Sequence, residues 1–340
     1  MLSLSCDYNW GCTPEILQAL TEANARQFTP YGQDELSQRA KDKIRAAIGN
    51  PEADIYFLIG GTQTNSVALA AMLAPYEGVL CAGTGHITDH EAGAIECTGH
   101  KVLPVVGDEQ GKISLDALQE WLVRFFADGF HDHIVHPGAV YISQPTELGG
   151  VYTKAELRAL RRICDRYGLR LYVDGARLAY ALGSRDNDVT LETLGSLTDA
   201  FYIGGTKCGA LFGEALVFKK TMPHFFTLHK QHGALLAKGW LTGLQFDVLF
   251  TDGLYQRLGA HADRLAELLR DGLQALQIPL LPPSPSNQQF ALLTDEQVEK
   301  LAGRFGYDLW GRQGAYTQVR FCPSWANTEE QILALLDALS

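Results

Sequence analysis

The sequence predicts an α/β fold: a mostly parallel sheet covered by helices on both faces, with a smaller α+β domain at the C-terminal end. Three observations lead there. Short runs rich in β-branched and aromatic residues alternate with segments of helical period from residue 54 to about 207. The segments between the runs are long enough for crossover connections, which parallel strands need and hairpins do not. After about residue 245 the alternation gives way to long helices and isolated short strands.

The first strand is DIYFLIG (54–60), followed by the helical pattern of TQTNSVALAAML. GVLCA (78–82) leads into HITDHEAGAIEC, expected as a helix, and KVLPVV (101–106) leads into SLDALQEWLVRFF. After GAVYIS (138–143) comes TKAELRALRRICDRYG, where Thr153 and Glu156 have capping-box spacing and Gly168 supplies a stop, so a helix is predicted over 153–167. LRLYVD (169–174) precedes ARLAYAL, and AFYIGGT runs into Lys207. Beyond 245 come a helix over 252–275, the stretch IPLLPPSPSNQQF, a short strand, another helix, the strand-like TQVRFC (317–322) and a last helix from Thr328. The chain then divides into an N-terminal arm (1–25), a large domain (26–245) and a small C-terminal domain (246–340).

With 340 residues, 46% of them hydrophobic, the chain can bury a sizeable core. A net charge of −11 and the lack of any Lys/Arg run exclude a nucleic-acid binder, which needs a basic surface. The seven cysteines are odd in number, scattered and without a Cys-x-x-Cys, which suits free thiols in a reducing compartment. MLSLSCDYNWGC lacks a basic leader and a long apolar region. No apolar run nears the roughly 20 residues of a membrane helix, and VALAAMLAPY is broken by Pro75. The expected location is cytoplasmic, with no nucleic acid and no membrane as partner.

In a parallel sheet covered on both faces, ligands sit outside the carboxyl ends of the strands. Those ends carry Gly60-Gly61-Thr62-Gln63-Thr64, Asp174 and Lys207. Glycines entering a helix N-terminus, with two threonine hydroxyls, can hold a phosphate, although an ordinary strand-to-helix turn reads the same way. The segment is no Walker A motif, since Lys207 follows Thr206 rather than a glycine, and His86-Ile87-Thr88 after Gly83-x-Gly85 spoils a dinucleotide fingerprint. Asp174 taken alone reads as a salt bridge to Arg177. Together, a lysine, a strand-end carboxylate and an anion cradle on one edge match the needs of pyridoxal 5'-phosphate: an amine to bond its aldehyde, an acid beside its ring nitrogen, and a phosphate site. Small apolar neighbours would hold the Lys207 amine toward its neutral, nucleophilic form.

The stretches FLIGGTQTNSVAL, TGHITDHEAGAIE, LYVDGARLAYAL, FYIGGTKCGALFGEA and VRF occur in an order that resembles the threonine aldolase and β-eliminating lyase family of fold-type-I pyridoxal phosphate enzymes. The resemblance covers nearly the whole chain. It implies the fold-type-I architecture, with a mostly parallel seven-stranded sheet, and cleavage of the Cα–Cβ bond of β-hydroxy-α-amino acids to glycine and an aldehyde. It implies that Lys207 bonds the cofactor, Asp174 pairs with the ring nitrogen, Gly61 and Thr62 bind phosphate, and His86 stacks on the ring. Arg177, counted among both cofactor and substrate contacts, and Arg320 would hold the substrate carboxylate, for which a planar fork is suited. Lys238 falls near the place where the family reaches a basic side chain into the neighbouring subunit's phosphate site. Tyr31 lies in a segment near the substrate in the dimer. A homodimer or homotetramer sharing its sites is implied.

Two departures stand out. Where the family carries a histidine after the fourth strand, SQPTELGG places Glu147, which could serve as base if burial raised its pKa. Where the family offers a serine near the N-terminus, Ser5-Cys6-Asp7 leaves the substrate contact unassigned. Three alternatives stay open: the same cofactor acting at the α-hydrogen (β-elimination, racemisation or transamination), a regulatory protein that has lost its chemistry, and a metalloenzyme. His86 with His90, and His131, His133 and His136, match no zinc-motif spacing, and the second group reads as a solvated loop, so no metal site is expected.

Overall fold

The computed structural model describes residues 1–281 and 284–340; Pro282 and Pro283, within the stretch IPLLPPSPSNQQF, lie outside the described residues. Two residues, β1 (Leu2–Ser3), begin the chain, followed by α1 (Pro14–Ala23) and α2 (Glu35–Ala47), each opened by a side-chain cap, Thr13 and Asp34. Then come β2 (Asp54–Leu58), α3 (Gly61–Met72), β3 (Glu77–Ala82), α4 (His86–Asp89), β4 (Val102–Val105) and α5 (Leu115–Ala127). The second half of the sheet unit holds β5 (His136–Ser143), α6 (Lys154–Tyr167), β6 (Arg170–Asp174), α7 (Leu178–Gly183), α8 (Leu191–Leu197), β7 (Ala200–Gly204) and β8 (Glu214–Phe218). The capping box of Thr153 and Glu156 opens α6, and Gly168 closes it in the left-handed region, as the sequence predicts.

One expectation fails. The pattern HITDHEAGAIEC yields only the four-residue α4 and a 3-10 turn at Glu96–Thr98. Ala92 and Gly93 take positive φ, 51° and 72°, which breaks the helical ladder and turns Glu91 inward, where it is buried.

The main sheet has seven strands in the order β2-β8-β7-β6-β5-β3-β4. β8 runs antiparallel to both β2 and β7, and the other neighbours pair parallel. Hence β2 points the same way as the parallel strands. The C-terminal ends of β2, β3, β5, β6 and β7 and the N-terminal end of β8 therefore share one edge.

Period-two alternation divides the strands between two core layers. Leu171 and Val173 of β6 pack with Leu157 and Leu160 of α6, whereas Tyr172 packs with Val67 and Ala68 of α3. Asp174, two residues on from Tyr172, consequently faces α3. Tyr141 and Tyr202 sit on that same layer, brought beside β6 by the pairings Tyr141↔Tyr172 and Tyr172↔Ala200.

After α9 (Phe225–Gln231) and α10 (Trp240–Leu249), the long α11 (Leu254–Ala275) leads to β9 (Gln289–Leu293), α12 (Asp295–Leu301), β10 (Phe305–Gly306), β11 (Asp308–Gln313), β12 (Tyr316–Phe321) and α13 (Glu329–Leu339). A second, antiparallel sheet has the order β11-β12-β9. β1 pairs parallel with β10, and Leu4 packs with Leu265, Leu269, Val319 and Phe321, so the N-terminal segment is fastened to this C-terminal unit. That fastening carries Asp7 and Tyr8 to the edge of the main sheet. Among the described residues no helix is long and apolar enough to cross a membrane, and all seven cysteines are free.

Candidate active site

At the shared sheet edge, Asp174 ends β6 with 4% of its surface exposed. Its Oδ2 accepts from Tyr141 Oη (2.6 Å) and Asn65 Nδ2 (2.8 Å), and its Oδ1 accepts from Tyr202 Oη (2.6 Å) and the Ala176 amide (2.9 Å). Burial pushes this carboxyl up, but the nearby His86 charge and the Tyr141, Tyr202 and Asn65 hydrogen bonds outweigh it and hold the pKa below the ordinary value. Asp174 thus stays ionised. The bridge to Arg177 suggested by their spacing does not form; Arg177 turns to Asp7 instead, with Nε 2.8 Å from Oδ2 and Nη2 3.1 Å from Oδ1. Asp7, fully buried, also accepts from Asn287 (2.9 Å).

His86 opens α4, and its Nδ1 lies 2.7 Å from Glu91 Oε1, which also accepts from Asn65 Nδ2 at 2.7 Å. Burial favours the neutral ring, yet the Glu91 hydrogen bond and the Asp174 and Glu91 charges win, and the pKa is raised. The backbone break at Ala92–Gly93 is what lets Glu91 reach this place.

Lys207 follows β7, its turn held by Tyr180 Oη donating to the Lys207 carbonyl and its Nζ 5.7 Å from the Tyr8 ring centroid. Burial and the Arg177 charge lower the amine's pKa, against the pull of Asp7, Asp174 and Glu214. Glu147 sits in the loop after β5, accepting from Ser143 Oγ (2.7 Å) and the His86 amide (3.1 Å). Burial and repulsion from Asp174 raise its pKa, as a carboxylate base would need.

The anion cradle lies where β2 meets α3. The amides of Gly61, Thr62 and Gln63 in the first turn of α3 make no hydrogen bond among the described residues, while Thr64 already bonds the Gly60 carbonyl. A Cβ on Gly61 would come 2.8 Å from Tyr202 Oη, so only glycine leaves the approach open. A carboxyl held ionised, a half-buried lysine amine and unpaired amides in one cavity fit the ring nitrogen, aldehyde and phosphate of pyridoxal 5'-phosphate.

The cavity has two adjoining lobes. The inner one, about 280 Å³, is lined by Gly61, Thr62, His86, Asp174, Lys207 and others; the outer one, about 540 Å³, by Tyr8, Glu147, Arg177, Trp310 and Arg320 among others. Arg320 is no surface residue: it donates to Asp308 Oδ2 (2.7 Å) and Gln288 Oε1 (3.0 Å), stacks over Trp310 at 5.3 Å, and leaves its buried Nε without a partner. A larger depression of about 870 Å³ near Gly49, Lys154 and Lys219 contains none of these groups.

Residues 4–296 match the family described as β-eliminating lyase. The chain belongs to the β-eliminating lyase family. Over 96% of this lyase and 93% of its relative, it is 32% identical to a low specificity L-threonine aldolase of Pseudomonas sp.. A solved threonine aldolase of Leishmania major superposes with a TM-score of 0.96 at 41% identity, covering 100% of this chain and 98% of that one. An aspartate aminotransferase of Thermus thermophilus (TM-score 0.71, 18% identity, 99% and 90% covered) shares the fold, the fold-type-I architecture.

Within one chain of this lyase, Lys207, Asp174, His86, Glu147, Arg177, Arg320, Gly61 and Thr62 line the cleft, and Tyr31 and Lys238 do not. Those two lie beside one another elsewhere, the Tyr31 amide donating to the Ala237 carbonyl and Lys230 Nζ 4.9 Å from the Tyr31 ring. Sequence reasoning missed Asn65, Tyr141 and Tyr202 around Asp174, and Glu91 behind His86; strand alternation was the one signal that could have placed the two tyrosines. His131–His133 form a 3-10 turn in which His131 Nδ1 lies 2.6 Å from the Asp128 carbonyl, and His136, the first residue of β5, packs edge-on to Phe125.

Proposed function

We propose that this chain is an aldolase that holds pyridoxal 5'-phosphate and cleaves the Cα–Cβ bond of L-β-hydroxy-α-amino acids such as threonine, giving glycine and an aldehyde. The observation that carries the reading is that Lys207, an amine pushed toward neutrality, and Asp174, a buried carboxyl kept ionised, face one cavity. The Pseudomonas and Leishmania relatives, both threonine aldolases, support the reaction. When bound, the cofactor supplies an electron-poor ring that accepts the electron pair of the breaking bond.

This chain's residues do the rest. Lys207, whose amine is held toward its neutral form, would hold the cofactor through its aldehyde. Asp174 would offer its negative charge to the ring nitrogen, and the Gly61 and Thr62 amides would hold the phosphate. His86, fixed by Glu91, would lie against the ring. Arg177 and Arg320 hold the substrate carboxylate, which orients the substrate so that the Cα–Cβ bond is the one aligned for cleavage. Glu147 accepts the hydroxyl proton; its raised pKa makes it a stronger base than an ordinary carboxylate. We further propose a homodimer or homotetramer in which Tyr31 and Lys238 serve the neighbouring subunit's site; sedimentation of the protein as a monomer would contradict this.

The experiment is to incubate the protein, loaded with pyridoxal 5'-phosphate, with L-threonine, L-allo-threonine and phenylserine. Glycine and the matching aldehyde should appear in equal amounts. Exchange of the α-hydrogen without glycine would move the assignment to racemisation or elimination.

A further inference from the structure

We propose that in alkaline solution Glu214 takes up a proton when the phosphate-bearing cofactor binds, so that this carboxyl sets how cofactor affinity falls as pH rises. The inference rests on the cofactor reading above.

Glu214 is the first residue of β8 and is 3% exposed. The β2–β8 register sets it opposite Leu58, two residues before the Gly60–Gly61–Thr62 cradle, and the β7–β8 register sets it opposite Gly204. It lines the inner lobe together with Gly60, Gly61, Thr62, Thr206 and Lys207. Its Oε1 accepts from Thr206 Oγ1 (2.7 Å) and its Oε2 from the Gly205 amide (3.2 Å), while the Gly213 amide donates to Thr206 Oγ1 (3.0 Å). The carboxylate thus occupies donors of the same loop that delivers Lys207, next to amides aimed at an anion. Among the described residues, no lysine or arginine forms an ion pair with it.

The charged and titratable groups facing Glu214 are Lys207 after β7, Asp174 on β6, and the phenols of Tyr172, Tyr202 and Tyr255. Burial, with repulsion from Asp174, pushes its pKa up to about 8, against the Thr206 hydrogen bond and the Lys207 charge. A phosphate brought into this lobe adds further negative charge and disfavours the ionised form still more.

The sign follows. Below about pH 8 Glu214 is already protonated in the ligand-free chain, and binding draws no proton through it. Above that, the free chain is ionised and the complex is not, so each binding event consumes a proton and affinity falls, up to about tenfold per pH unit.

The test measures binding rather than turnover. Pyridoxine 5'-phosphate, an alcohol that cannot bond Lys207 covalently, is titrated by calorimetry into wild type, Glu214→Gln and Glu214→Ser at pH 7, 8 and 9. The ratio of wild-type to variant Kd should grow about tenfold from pH 7 to pH 9. At pH 9 wild type should take up more protons than the variants, as judged in two buffers of different ionisation heat. A ratio constant with pH, the outcome if Glu214 only braces the Lys207 turn, overturns the proposal. Wild type that binds neither this compound nor pyridoxal 5'-phosphate at any pH overturns the cofactor reading itself.

Discussion

Replacing Asp174 by Asn removes one charge from a site whose hydrogen bonds are all directed at a carboxylate. Asn offers one acceptor and one donor group where four donors converge: Tyr141, Asn65, Tyr202 and the Ala176 amide. The Ala176 amide cannot reverse, so the carboxamide oxygen must take the Oδ1 position. Its nitrogen then faces Tyr141 Oη and Asn65 Nδ2. The phenol can rotate to accept, but Asn65 cannot flip without losing Glu91 and Tyr172, to which it is bonded at 2.7 and 3.0 Å. One donor pair is left opposed, costing about 1–3 kcal/mol, and the remaining bonds lose their charge assistance. We therefore expect a destabilisation of roughly 3 kcal/mol and a melting temperature lower by several degrees. Turnover should fall at least about a hundredfold, the scale for removing a preorganised charge beside the reacting group. Thermal unfolding followed by circular dichroism gives the first quantity, and glycine release from L-threonine the second. A folded Asp174→Asn protein with wild-type turnover would refute the role of the carboxylate.

Three further outcomes are expected. Glu147→Gln should lower turnover by about 10²–10⁴ while the protein still binds the cofactor; because the Glu147 pKa is raised, the wild-type rate should fall with acid at a pH above the ordinary carboxylate range, and this limb should vanish in the variant. Asp7→Asn removes the charge that compensates the largely buried Arg177 side chain and should cost about 3–5 kcal/mol in chemical denaturation. Burial raises the Asp7 pKa, but the Arg177 and Lys207 charges hold it below its usual value, so wild type should lose stability as pH falls through and below the carboxylate range, where the unfolded chain binds the proton first. Dialysis against a chelator should leave turnover unchanged, whereas loss that zinc restores would revive the metal alternative.

Much of the fold could be read from local chemistry. The capping box at Thr153 and Glu156 and the strand runs up to LRLYVD mark elements whose signals are short-range, and the structure places them there. The segment 86–97 misled because its apolar spacing is helical, whereas the inward Glu91 requires a broken backbone. Lys207 and Asp174 were legible since strand ends in such sheets collect at one edge. The partners of Asp174 were not, for Asn65 is more than a hundred residues away in sequence and only the packing of α3 brings it close. Arg177 shows the same limit: Asp174 lies three positions away, yet Asp7, carried in by the pairing of β1 with β10, captures it.

The proposed chemistry depends most on a covalent bond between the Lys207 amine and the cofactor aldehyde. Borohydride treatment of the protein loaded with pyridoxal 5'-phosphate, followed by peptide mass mapping, should leave a pyridoxyl group on the peptide that carries Lys207 and on no other lysine. An unmodified Lys207, or the label on a different residue, would contradict it.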